Sequence, residues 1–354
     1  MFIFIIVPFF IEKSKWGCDN NRMLTLTNIV DNLEMLSGST EESLHAYLAA
    51  CGLDGFEAIR CGAHAPALTP GLVRGVHLVF WADWVDFWRG DTKALLQKFG
   101  SRAAWEAYYG CSTPEGLVTQ YEAELAYAQA MGASYVVFHV SDVSPEETMT
   151  YRRFHSDEAV IDASAELLNL IFKGKDYPFE LLLENLWWPG LTMTSPAMTE
   201  RMLSAVQYEK TGLLLDTGHL FNANPELPDE VACLAFAHDM LSLHGALSSR
   251  IRGMHLHGAA TGSIVREMLD TAPALAEDFP GRFAQAYDWV TRIDPHCPLT
   301  APGVRELVAR VSPEYLVLEL AGGSLDARRA KIERQLAALR LPKKRKHYRV
   351  ARQC

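Results

Sequence analysis

Six short apolar runs carry a side chain able to bind a metal at or near their C-terminal ends. They are GVHLVFW with His77, ASYVVFHVS with His139, PFELLLENLWW with Glu184, TGLLLDTGHL with Asp216 and His219, IRGMHLHG with His255, and EYLVLEL with Glu319. Carboxylates gathered in one pocket repel unless a cation neutralises them. Mixed oxygen and imidazole donors suit Mn²⁺, Zn²⁺ or Fe²⁺ better than Mg²⁺. Asp216 ends a buried run, where an unpaired carboxylate costs several kcal/mol, so it must be paired, hydrogen-bonded or metal-bound. Taken alone, Asp216-Thr-Gly-His219 fits a hydrogen-bonded pair nearly as well as a ligand pair. Glu184 or Glu319 alone fits a salt bridge to an Arg or Lys elsewhere in the chain. Their joint occurrence with His255 on successive runs is what points to a site. His257, two residues beyond His255, shares its face under regular pleating, so spacing leaves open which of the two ligates. Asp294 and His296 offer another acid and imidazole in a loop.

The elements that must position these residues are strands. Apolar runs of four to eight residues bounded by turn signals read as buried parallel strands. Eight such runs occur, beginning near 24–30, with helical patterns between most of them. TEESLHAYLAACG is expected as a helix capped by Ser39 or Thr40 and stopped by Gly52, and TPEGLVTQYEAELAYAQAMG as one capped by Thr113 and stopped by Gly132. Regular βα alternation with eight units predicts a single (β/α)8 TIM barrel, whose strand ends converge on one cavity. The rhythm breaks after the seventh strand. An insertion of about 260–293 is expected there, on the face where loops vary. No strand is followed by a GxGxxG or GxxxxGK[ST] loop, which disfavours a nucleotide-binding sheet.

The chain has 354 residues, 49% of them hydrophobic, enough for one barrel with additions. A formal charge of −10 argues against a general basic surface for nucleic acid. Seven cysteines without a CxxC pair fit reduced thiols and a cytoplasmic enzyme. Residues 1–22 open with MFIFIIVPFFI, too short to span a bilayer and without a basic n-region. They are expected to be an N-terminal extension, with Met23 as the start of the barrel at 23–340. Residues 341–354 form a basic C-terminal tail, expected to be solvated.

GLDGFEAI, LLLEN, LLLDTGH, GMHLH and LVLEL together resemble the xylose isomerase-like TIM-barrel superfamily, over roughly residues 23–340. That superfamily includes sugar and sugar-phosphate isomerases and epimerases and the endonuclease IV type of apurinic-site nuclease. For the isomerase branch, the resemblance implies one divalent metal on Glu184, Asp216, His255 and Glu319, with both glutamates as proton-transfer groups. For the nuclease branch it implies three zinc ions. His77, His139 and Glu184 would hold the first, Glu184 would bridge to a second on Asp216, His255 and Glu319, and His219, Asp294 and His296 would hold the third. This chain departs from the nuclease pattern in its longer insertion before Asp294, in HLHG where an HLND-like sequence is usual, and in lacking a match to the DNA-intercalating residues around 60–75. Arg266 is the nearest counterpart of the epimerases' substrate-binding arginine.

Two chemistries follow. Several ions would favour hydrolysis of a phosphoester or related sugar-containing small molecule, with cations stabilising charge on a phosphoryl group. One ion would favour isomerisation or epimerisation through Glu184 and Glu319. The full set of nine residues tilts the expectation toward the multinuclear, hydrolase-like site, with one to three ions of zinc or manganese. A non-catalytic binding barrel is the third reading. A small sugar or phosphorylated molecule is the expected partner, nucleic acid is not favoured, and no membrane is needed. Phe80, Trp81, Trp84, Phe87, Trp88, Trp187 and Trp188 are candidates to wall the pocket, about half of them serving ordinary packing.

Overall fold

The computed structural model describes residues 23–271 and 274–340. The expected N-terminal extension and basic tail lie outside the described residues. Eight parallel strands close into a barrel in sequence order: β1 (Leu24–Asp31), β2 (Gly55–Arg60), β3 (Val73–His77), β4 (Tyr135–His139), β5 (Glu180–Glu184), β6 (Thr211–Asp216), β7 (Ile251–His255) and β8 (Tyr315–Leu318). This is the expected (β/α)8 barrel.

Period-two alternation explains how the strands deliver the candidate ligands. Leu26, Tyr135, Val137, Leu182, Leu214, Tyr315 and Val317 pack together inside the barrel. One inward position further along four of these strands stand His139, Glu184, Asp216 and Glu319, so each is carried to the C-terminal mouth by the pleat that buries the residue below it. The register sets them level: His139 lies beside Glu184, and Asp216 beside His255. Gly75 and Gly253 leave room for this packing. A Cβ at Gly75 would lie 2.1 Å from Tyr135 Cζ, and one at Gly253 would lie 2.9 Å from Leu182 Cδ1.

The outer elements follow in order. Helix α1 (Glu41–Cys51) follows β1. Helices α2 (Val85–Arg89), α3 (Thr92–Phe99), α4 (Arg102–Tyr109) and α5 (Glu115–Ala130) follow β3. Helices α6 (Pro145–Thr150) and α7 (Asp157–Ile171) follow β4, and α8 (Pro196–Ala205) follows β5. Helices α9 (Thr217–Asn222) and α10 (Glu230–His244) follow β6. Helices α11 (Gly262–Thr271), α12 (Phe279–Ile293) and α13 (Val304–Val311) lie between β7 and β8, and α14 (Leu325–Leu339) comes last. The expected insertion thus carries α11 and α12, and α12 packs across the barrel mouth onto α6.

Caps largely follow the sequence. Thr40 caps α1 in a reciprocal box with Ser43, and Gly52 ends it at φ 70°. Thr113 differs from expectation. Pro114, without an N–H and already in right-handed helical geometry, precedes α5, and no side chain caps that end. TGLLLDTGHL also divides. The strand stops at Asp216, whose Oδ1 accepts from the His219 N–H at 2.7 Å and so starts α9. Helix α10 with the turn to Arg250 is long and apolar enough to cross a membrane by composition. Its residues Cys233, Leu234, Ala237 and Leu241 are buried in the core, whereas Val231 and Leu243 are exposed.

Candidate metal centre

Six imidazoles and four carboxylates meet at the mouth in three groups, each with its donor atoms within 4.8 Å of one another. His77, His139 and Glu184 form the first. Glu184, Asp216, His255 and Glu319 form the second. His219, His257, Asp294 and His296 form the third. All nine residues singled out from sequence are therefore brought together, and Glu184 joins the first two groups.

In the first group, His77 Nδ1–H donates to the Leu78 carbonyl at 2.9 Å, which leaves Nε2 as the lone-pair side of the neutral ring. That Nε2 stands 2.9 Å from His139 Nε2 and 3.2 Å from Glu184 Oε2, and His139 Nε2 is 3.1 Å from the same oxygen. In the second group, Glu184 Oε1 is 3.3 Å from His255 Nδ1, which also lies 2.7 Å from Glu319 Oε2 and 3.6 Å from Asp216 Oδ2. The far nitrogen, His255 Nε2, is 3.0 Å from Glu57 Oε1, while the Tyr135 hydroxyl donates to Glu57 Oε2 at 2.7 Å. In the third, His219 Nδ1–H donates to the Asn185 carbonyl at 2.9 Å and turns Nε2 toward Asp294 Oδ2, 3.2 Å away. His296 Nε2 approaches the same oxygen at 2.8 Å, and the His257 and His296 rings stack with centroids 4.2 Å apart. His257 Nε2 also reaches Asp216 Oδ2 at 2.9 Å, tying the third group to the second.

The donor set fits divalent cations. Glu184 Oε1, His255 Nδ1, His257 Nδ1, Asp294 Oδ1 and Glu319 Oε2 are buried without a hydrogen-bond partner. His255 Nδ1 and Glu319 Oε2 are near neighbours at 2.7 Å, yet lack the alignment of a hydrogen bond. Buried lone pairs left unsatisfied in a cluster cost several kcal/mol unless something electropositive faces them. Electrostatics describes the same tension. Burial alone would raise the Glu184 carboxyl, but the imidazoles of His139 and His255 outweigh it and hold it well below the usual carboxylate range. Burial lowers the His139 imidazole. For His296, burial is outweighed by Asp294 and Glu319, and its pKa is pushed up to about 9. His296 also holds φ at 45°, a left-handed backbone uncommon outside glycine and found where structure imposes it at a site.

Sequence spacing left His255 and His257 undecided. Both face the cavity side and each belongs to a different group. Glu57 was not singled out, though its strand carried the signal: an acid inside the buried run GFEAI. Arg266 falls away from the site. It is half-exposed and donates to the Pro225 carbonyl at 2.9 Å.

The groups form the floor of a cavity of about 580 Å³. His77, His139, His219, Asp294, His296 and Glu319 reach its surface, whereas Glu184, Asp216 and His255 lie beneath it. Fold and site together define a TIM barrel with a candidate multinuclear metal floor. The family model described as xylose isomerase-like TIM barrel matches residues 46–288, and the chain belongs to that family.

No curated protein matches the sequence. Among solved structures, the chain is similar to L-ribulose 3-epimerase at 12% identity, covering 90% of this chain and 95% of that one, TM-score 0.48. It is similar to endonuclease IV from Thermus thermophilus at 16% identity, covering 89% and 98%, TM-score 0.43. It is also similar to the IOLI protein with a bound zinc atom at 13% identity, covering 89% and 96%, TM-score 0.45.

Proposed function

We propose that the protein is a divalent-metal-dependent enzyme whose three-group site hydrolyses a phosphoester or related sugar-containing small molecule. The observation that carries this reading is the sharing of Glu184: its two oxygens face different groups, Oε2 toward His77 and His139 and Oε1 toward His255. Zinc or manganese suits these nitrogen and oxygen donors. Bound cations would supply Lewis acidity and lower the pKa of a coordinated water. The chain's own residues do the positioning. The Leu78 and Asn185 carbonyls fix the tautomers of His77 and His219, and Glu57, which also lines the cavity, holds the far nitrogen of His255. Asp216 is secured by the His219 N–H and by His257.

The alternative is a single-metal isomerase or epimerase on Glu184, Asp216, His255 and Glu319, a self-contained four-donor group. It needs both glutamates beside the substrate. Glu319 lines the cavity, but Glu184 is fully buried beneath it, which favours hydrolysis.

The test is turnover of a panel of phosphomonoesters and phosphodiesters by the zinc- or manganese-loaded protein. His77→Ala and His296→Ala are each expected to lose activity by at least about 100-fold, as removal of an electrostatic stabiliser does. One ion per chain, with both variants fully active, contradicts the proposal. Proton exchange on a ketose that disappears in Glu319→Gln would establish the alternative.

A further inference from the structure

Above the polar floor the cavity changes character. The loop after β3 contributes Phe80, Trp81 and Trp84, and the loop after β5 contributes Leu186, Trp187 and Trp188. The third wall comes from the insertion. Phe283, Tyr287 and Val290 recur at helical spacing along one face of α12 and line the same cavity. Among the described residues, no Lys or Arg lines it. Phe80 is 46% exposed, Phe283 40% and Tyr287 64%, so these rings are not consumed by core packing. Single exposed apolar side chains are ordinary, but several around one concave space mark a ligand surface. The volume is that of a small-molecule pocket.

Such walls discriminate. A bare sugar or an inorganic-like phosphate presents hydroxyls and charge that need donors on every side. Most of the upper walls cannot provide them. Beyond the donors of the floor and the aromatic residues, the polar lining side chains are Asn28, Glu57, Asp83, Ser141, Thr148 and Thr291, with Ser141 Oγ and Trp187 Nε1 buried and unpartnered. An unmatched polar ligand group against apolar walls would be desolvated without compensation. A flat apolar body would instead displace water from indole and phenyl faces and gain ring contacts.

We propose that the substrate is amphipathic, with an oxygen-donor head for the metal floor and an aromatic or alicyclic body held against the walls, and that α12 is the element selecting that body. The head-group part rests on the metal-site reading above. The wall part stands on the cavity itself.

The test is calorimetric titration of the zinc-loaded full-length chain with acetohydroxamate, a small chelator, and 2-naphthohydroxamate, the same chelator bearing a flat apolar body. A third probe, 2-naphthamide, has the ring without the chelating head. The naphthyl chelator is expected to bind at least about 30-fold tighter than acetohydroxamate, from the apolar area it buries. In the double variant Phe283→Ser, Tyr287→Ser that ratio is expected to fall below about threefold, and Phe80→Ser, on the opposite wall, is expected to lower it independently. Equal affinities of the two hydroxamates, or a ratio unmoved by all these substitutions, overturn the proposal. If the protein takes up no metal and acetohydroxamate does not bind, the metal-site reading fails. The wall proposal then stands if 2-naphthamide binds and is weakened at least about tenfold in the double variant, and falls if 2-naphthamide does not bind.

Discussion

Glu57→Gln probes whether His255 is held as a ligand, because Glu57 touches the ring only through the nitrogen that faces away from the other donors. In the native arrangement His255 Nε2 lies 3.0 Å and 3.2 Å from the two Glu57 oxygens, and Tyr135 donates to one of them at 2.7 Å. All three side chains are buried. Glutamine keeps the shape and one acceptor for His255, but removes the charge. Hydrogen bonds to charged groups contribute about 1.5–3 kcal/mol and neutral ones about 0.5–1.5, so the loss is about 1–2 kcal/mol. At about 1.4 kcal/mol per tenfold this corresponds to roughly 5–30-fold in zinc affinity, overlapping the 10–100-fold usual for carboxylates behind a ligating imidazole. Competition against a chromophoric chelator measures it, with a thermal melt of the metal-free protein to separate folding from binding. The expected result is weakening confined to one class of site, with a smaller change in Tyr135→Phe. Unchanged zinc affinity in Glu57→Gln, with folding intact, would refute the reasoning that His255 binds through Nδ1.

Two further outcomes are expected. A Cβ at Gly218 would lie 2.0 Å from His257 Cε1 and 2.5 Å from its Nδ1, so Gly218→Ala must displace His257. The variant is expected to lose or weaken the third ion, measured by metal content after dialysis. Away from the site, hydrogen bonds to Asp142 and then Asp86 hold the His155 imidazole up to about 10. A raised folded-state pKa stabilises fully below the ordinary histidine value of about 6.5 and loses that contribution as pH rises through about 10. Thermal melts are expected to show wild-type stability falling over that window, with a shallower fall in His155→Gln. Equal slopes would contradict it.

The barrel was legible because strands buried on both faces read as unbroken apolar runs, and the donors sat one inward position beyond the packed residues Val137, Leu182, Leu214 and Val317. That parity also put His255 and His257 on one side. Which group each joins depends on the chain bending after β7 and on where Asp294 arrives, and neither is encoded in a two-residue spacing. Glu57 escaped notice for a different reason: its role exists only through a partner 198 residues away. The local code was incomplete at Asp216 too, where the strand pattern ran on through Thr-Gly-His although the carboxylate starts a helix. The aromatic wall was visible in part. Phe80, Trp81, Trp84, Trp187 and Trp188 line the cavity, whereas Phe87 stacks on Tyr109 at 4.0 Å in the core. The contribution of α12 follows from long-range packing, with Arg282 bonded to the Lys98 carbonyl on α3. No periodicity within the insertion reveals that contact.

Metal content by mass spectrometry, on the full chain reconstituted with zinc and freed of loosely bound ions, tests the shared-Glu184 site most directly. Three ions per chain are expected, falling to two in His77→Ala and to two in His296→Ala, because the groups behind these residues differ. A single ion per chain, retained in both variants, would contradict a multinuclear centre.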